Sequence, residues 1–254
     1  MDWDISHILA DWDFEPGGAI VRRFIGKDGV EKIQMRIDLG ILQMNADGRP
    51  DGKLPYGKPS YFDHLRDKLE DFEEKHNGDD DGFQLESKEC HKLQQEAIQY
   101  HHRYICYFQL EDYANVVRDT ERNLDAISFV VQYCPSEENI WSLRQLTPQL
   151  LMMRTRSTAA QYLALGNHSK AITNVEEGLE QLRAFYDSVS RPDLAEDSSE
   201  LQALETWLEE LKDQRPLSKR EKLEIELNEA IRQENFEKAA KVRDEIKNLE
   251  SSSN

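Results

Sequence analysis

The sequence predicts a mainly α-helical protein with a small antiparallel β-meander near its N-terminus and an antiparallel two-helix hairpin at its C-terminus. Three observations carry that expectation. Apolar residues recur at helical spacing through most of the chain after Ser60, whereas between residues 20 and 44 they tend to alternate with polar ones. Charged residues make up 32% of the chain against 38% hydrophobic, above the roughly one quarter charged of an average globular domain. Such a balance suits exposed helix faces and argues against a sheet covered on both sides. With 254 residues, the chain is long enough to bury a core as one large domain or two smaller ones with an appendage. The expected organisation is an N-terminal segment over 1–58, a helical bundle over 59–188, an acidic spacer with a short helix over 189–215, and a hairpin over 216–254.

Ile5, Ile8, Leu9 and Trp12 give a short amphipathic stretch that Pro16-Gly17-Gly18 stops. The run AIVRRFIG follows, then a turn at Lys27-Asp28-Gly29. In the next run Ile33, Met35 and Ile37 alternate with Lys32, Gln34, Arg36 and Asp38, the period-two pattern of a half-buried strand. Asp-Gly between two such runs signals a hairpin. A third strand over 39–44 completes a meander, and the Gly- and Pro-rich stretch 47–59 reads as a loop or boundary.

Tyr61, Leu65, Leu69 and Phe72 stripe a helix that ends near His76-Asn77-Gly78, with the polar tract to Gly82 as a linker. Residues 87–188 then read as two long helical hairpins, separated where Cys134 precedes Pro135, because proline disfavours helix in the residue before it. Ala159, Tyr162, Leu165-Gly166, Ala171-Ile172, Val175 and Gly178-Leu179 resemble a tetratricopeptide unit. Tyr104, Tyr107, Leu110-Glu111, Tyr113, Val116-Val117 and Asn123-Leu124 resemble one more loosely. The two lie about 55 residues apart instead of the 34 of a tandem array, which implies a TPR-like bundle and not a solenoid. Leu201, Leu204, Leu208 and Leu211 mark a short helix after the acidic spacer, and Arg215-Pro216 ends it.

The C-terminal stretch carries the most specific pattern. Ser218 and Glu221 have capping-box spacing. Leu223, Leu227, Ala230 and Ile231 form one apolar stripe, and Phe236, Ala239, Val242, Ile246 and Leu249 form a second after a short connector. A short connector makes the two helices antiparallel neighbours, and small alanines allow close approach. The order Asn235-Phe236-Glu237-x-Ala239-Ala240-x-Val242-Arg243-Asp244-x-Ile246-x-x-Leu249 resembles the UVR motif of the excision-repair proteins UvrB and UvrC. The same motif occurs in bacterial Clp-ATPase and kinase-activator proteins, and the whole layout is similar to bacterial UVR-motif proteins. The resemblance implies pairing with another hairpin or with a protein partner. On that reading Leu223, Leu227, Ile231, Phe236, Ala239, Ala240, Val242, Ile246 and Leu249 supply apolar contact, while Arg243 and Asp244 tune register and choice. Asn235 stands where the family often has an acidic residue. A hairpin of this size buries little apolar surface alone, so it needs company in cis or in trans.

Net charge is −18, with acidic excess in 1–17, 59–89 and 189–215 and a basic lean only in 18–58. A chain this acidic repels phosphate backbones at long range, so nucleic-acid binding is not expected. The three cysteines, Cys90, Cys106 and Cys134, are odd in number and far apart, which is no secretory disulfide framework. The acidic opening lacks the basic start of a signal peptide, and no stretch approaches the ~20 apolar residues of a membrane span. The expected location is the cytoplasm.

A metal site from His102, Cys106 and one of Cys90 or His91 lacks the tight ligand spacing of known sites. The run Asn77–Gly82 imitates the start of a calcium loop, but its twelfth position is Lys88, where a bidentate carboxylate belongs. No cofactor, no metal and no catalytic residue is expected, and the chain reads as a non-catalytic adaptor. The alternative is an excision-repair-associated protein that touches nucleic acid through Arg22, Arg23, Lys32 and Arg36 of the meander.

Overall fold

A computed structural model describes residues 4–14, 20–189, 191–215 and 219–252. The chain forms two compact units, 1–208 and 209–254, and each is described by itself.

In the first unit, α1 (Ser6–Ala10) precedes a meander of β1 (Ile20–Ile25), β2 (Glu31–Ile37) and β3 (Gly40–Asn45), antiparallel and in chain order. The stop expected at Pro16-Gly17-Gly18 lies outside the described residues. The β1–β2 turn is set by Gly29, whose φ of 75° is left-handed, the conformation that closes a three-residue hairpin loop. Ile33, Met35 and Met44 are buried on one face, as the alternation predicts, but Ile37 at the end of β2 is exposed. The polar face departs from the expectation, because Gln34 and Arg36 are buried too. The segment after α1 accounts for part of that cover. Trp12 accepts a hydrogen bond from Arg36 Nε at its carbonyl, 2.9 Å away, and the Arg22 guanidinium lies 4.0 Å from its ring. Beneath this cover a polar ladder crosses all three strands: Arg22 Nε donates to Gln34 Oε1, and Gln34 Nε2 donates to Gln43 Oε1, each at 2.8 Å.

The Gly/Pro stretch expected as a loop or boundary is a loop, and its start is fastened to the helices. Arg103 of α3 (Ser87–Gln109) donates to the carbonyls of Asn45 and Gly48 at 3.0 and 2.7 Å. The same guanidinium forks onto the Asp119 carboxylate of α4 (Tyr113–Tyr133) at 2.7 and 2.9 Å, with both partners fully buried. Tyr107 donates its hydroxyl to the Ala46 carbonyl. Bidentate geometry makes such a pair strong and directional, so one arginine joins the meander to two helices.

α2 (Tyr61–Lys75) starts at Ser60, whose hydroxyl accepts from Asp63 N. Its first free amides, Tyr61 N and Phe62 N, donate to Glu96 of α3 at 2.7 and 3.1 Å. Glu96 is fully buried and also meets Arg49 and Arg122. The expected polar linker after α2 is held at Asp80, which accepts from the Tyr133 hydroxyl, and just beyond it Phe83 and Leu85 are buried and Leu85 N donates to Tyr133 O.

After α4 and its break at Cys134-Pro135 come α5 (Glu137–Arg144), α6 (Thr147–Ala164), α7 (His168–Ser188), α8 (Pro192–Glu196) and α9 (Ser199–Gln214). Helix α6 packs against both α4 and α7, which is why its buried residues run around most of its circumference. Gly178 of α7 allows the approach to α6, since a Cβ there would fall 2.3 Å from Thr155 Oγ1. Among the described residues no helix is long and apolar enough to cross a membrane.

The second unit holds α10 (Lys219–Arg232) and α11 (Phe236–Ser252), packed on each other. The α3–α4, α6–α7 and α10–α11 hairpins all turn in the same way. Glu111 (φ 56°), Gly166 (φ 70°) and Glu234 (φ 56°) take the left-handed conformation. The next residue, Asp112, Asn167 or Asn235, donates its amide back to the carbonyl of Tyr107, Tyr162 or Ala230 at 2.8–2.9 Å. This is the Schellman closure. The same Asp or Asn then caps the following helix with its side chain, accepting from Asn115 N, Lys170 N or Lys238 N.

Candidate protein-binding hairpin

The α10–α11 hairpin is the feature the sequence singles out, and its geometry follows from its residues. Leu223, Ala230, Ala239 and Val242 are buried, Leu227 and Ile246 half-buried. Two alanines among the buried positions let the helices approach closely. Lys238 Nζ of α11 meets Glu226 Oε1 of α10 at 2.8 Å, a pair across the hairpin that the apolar pattern does not reveal. The Glu226 carboxylate raises the Lys238 pKa. Asn235 has a structural reason to be where it is: its Oδ1 accepts from Lys238 N at 3.1 Å and starts α11.

The remaining motif residues point outward. Phe236 is 70% exposed and Ile231 51% exposed, with Ala240, Arg243 and Asp244 exposed beside them. Ile225, absent from the stripes read from the sequence, is 46% exposed. The sequence signal for it is its place two residues after Leu223, which puts it off the buried stripe of α10. Arg243 and Asp244 pair with each other at 3.0 Å on the surface. The side chain of Leu249 and the capping box at Ser218 and Glu221 lie outside the described residues.

Other sequence candidates are placed differently. Of the meander cations, Arg22 bonds Gln34, Arg23 pairs with Asp112 at 2.5 Å, and Lys32 pairs with Asp28 at 2.6 Å. Arg36 is buried and donates to the carbonyls of Trp12, Asp38 and Gly40. Each cation offered for phosphate contact therefore already has a partner within the chain. The Cys90 and Cys134 sulfurs sit 3.0 Å apart in the core, and Cys106 is buried elsewhere in it. Among the described residues the histidine–cysteine set does not converge to ligand distance, while the carboxylates of Asp79, Asp80 and Asp81 do lie within 4.8 Å of one another. Asp80 accepts from Tyr133 and Gln132, and Asp79 accepts from Asp81 N, so this run is a folded turn.

Comparison with known proteins agrees with the hairpin reading over that part of the chain. Residues 218–252 match the family described as UvrB/uvrC motif. This motif is a helical hairpin of nucleotide-excision-repair proteins that mediates protein interactions. Searches against curated proteins and against solved structures found no match.

Proposed function

We propose that this protein is a non-catalytic adaptor that engages a protein partner, or a second copy of itself, through the C-terminal hairpin. The observation that carries the reading is the exposure of Phe236 and Ile231 on a compact unit of its own, within the segment that matches an interaction motif. Large apolar side chains left in water at a hairpin turn gain by burial against a complementary apolar face, at about 25 cal/mol per Å². Aromatic anchors of this kind dominate protein interfaces. Arg243 and Asp244 flank that surface and supply orientation more than affinity.

The test compares the full chain with one ending after Arg215 and with Phe236→Asp/Ile231→Asp, by affinity capture from source lysate and by sedimentation. Partners or self-association lost in both altered forms support the proposal. Retention of every partner by the double variant, with its helical signal intact, refutes it.

A further inference from the structure

Two cysteines that the sequence holds 44 positions apart meet at the open end of the α3–α4 hairpin. The corner at Glu111 joins these antiparallel helices at one end, which brings the start of α3 back to the end of α4. Cys90 lies near the start of α3 and Cys134 is the residue after the last turn of α4. Their sulfurs are buried and 3.0 Å apart, so a shift of about 1 Å reaches the ~2.05 Å of a disulfide bond. The backbone beside them is already tied, because Leu85 N donates to Tyr133 O at 2.9 Å. Cys106 is equally buried on α3 but sits roughly 24 Å farther along that helix than Cys90.

The two sulfurs differ. Cys90 donates its S–H to the Cys134 sulfur, while the Cys134 thiol faces the Ser136 carbonyl at 3.8 Å. Cys134 is 7% exposed against 1% for Cys90, and the end of a helix opens at lower cost than its middle. Burial, with the Cys134 sulfur beside it, pushes the Cys90 thiol up to about 12, so Cys90 keeps the proton of the pair and Cys134 is the sulfur that a small oxidant meets first.

We propose that Cys90 and Cys134 are a redox-modification site, which closes into a reversible disulfide in the folded chain when a hydroperoxide is present. The Cys134 thiolate attacks one peroxide oxygen, the O–O bond breaks, and the departing hydroxide takes the proton that Cys134 gave up, leaving a sulfenic acid and one water. The Cys90 sulfur then attacks the Cys134 sulfur. The S–S bond forms, the S–O bond breaks, and the Cys90 proton leaves with the hydroxide as a second water. Two thiols are oxidised by two electrons and one hydrogen peroxide is reduced to two waters. Burial makes the reaction slow, on the order of minutes to hours. The product turns the α3–α4 hairpin into a covalent ring, shut at one end by the Glu111 corner and at the other by the disulfide.

The experiment treats the reduced full chain with millimolar hydrogen peroxide and removes the excess with catalase. The chain is then unfolded, its free thiols are blocked with iodoacetamide, and its peptides are mapped by mass spectrometry. The expected product has lost two hydrogen atoms, carries one blocked thiol at Cys106, and yields a peptide pair joined through Cys90 and Cys134. The same treatment in urea gives chiefly the Cys90–Cys106 bridge, because the shorter loop closes more readily in an unfolded chain. The oxidised folded chain melts about 5–15 °C above the reduced one, and dithiothreitol returns it to the starting value. Cys106→Ala forms the same bridge and Cys134→Ala forms none, each with its helical signal unchanged. Three free thiols after treatment, a bridge that includes Cys106 in the folded chain, a bridge between two chains, or a bridged chain that melts no higher than the reduced one overturns the proposal.

Discussion

Replacing Glu96 with glutamine changes one atom and removes a charge on which four groups converge. Glu96 is fully buried; its Oε2 accepts from Tyr61 N at 2.7 Å, and its Oε1 accepts from Phe62 N at 3.1 Å and from Arg122. Arg49 Nε lies 2.9 Å from Oε2 as an ion pair. In the variant an amide NH₂ faces donors, and both mostly buried guanidiniums lose the Glu96 carboxylate, Arg49 keeping Asp51 at 3.4 Å. Hydrogen bonds to a charged acceptor contribute about 1.5–3 kcal/mol each, but these four share one group and do not add. Breaking a buried ion pair from one side costs about 3–5 kcal/mol, the figure expected here. For a body of some 200 residues this lowers Tm by roughly 6–20 °C. Urea unfolding followed by tryptophan fluorescence is the assay, because all four tryptophans precede residue 209 and the described ones, Trp12, Trp141 and Trp207, report the first unit. The midpoint falls with the slope unchanged. A loss below about 1 kcal/mol would mean that the α2 amides and the two arginines find equal partners elsewhere and that Glu96 is not their anchor.

Other substitutions test other contacts. Gly178→Ala gains up to about 1 kcal/mol in helix propensity but drives a methyl into buried Thr155, a strain of about 1–3 kcal/mol; net destabilisation in the same urea assay is expected, and a rise in midpoint contradicts it. Glu234→Gly relieves the left-handed strain at the hairpin turn and stabilises that hairpin by about 0.5–1 kcal/mol. Slower amide exchange at Ala239 and Val242 reports it. Burial pushes the Cys90 and Cys106 thiols up to about 12, so iodoacetamide at pH 8 labels neither until the chain unfolds, as intact-mass analysis shows. Because the folded pKa lies above the unfolded value of about 8.5, the stability these thiols contribute is complete below that pH. It is lost as pH rises toward 12, and urea midpoints at pH 7, 9 and 10.5 should fall in that order.

Much of this architecture is legible in the residues. The alternation at Ile33 and Met35 located β2, the stripe from Tyr61 to Phe72 located α2, and Cys134-Pro135 marked the end of α4, because local periodicity and proline sterics act within a few residues. The covered polar face of the meander was not legible, since Trp12 reaches Arg36 across 24 positions. Nor was the fastening of the loop at 45–48, which depends on Arg103 more than fifty residues away. In the hairpin, Leu223, Ala230, Ala239 and Val242 follow from the stripe. The stripe alone does not separate them from outward Phe236 and Ile231, because a hairpin buries only one sector of each helix and apolar residues occur beyond it.

The shared turn has a consequence for how the chain acquires its shape. In all three hairpins the residue after the left-handed position ends one helix with its backbone and starts the next with its side chain. Each corner is therefore specified by about ten consecutive residues, with no distant contact required. Short-range specification keeps contact order low, and chains of low contact order fold fast. During synthesis each hairpin can form once its own corner and flanking turns have been made. Arg103, through the Asn45 and Gly48 carbonyls, then joins the meander to the first of them.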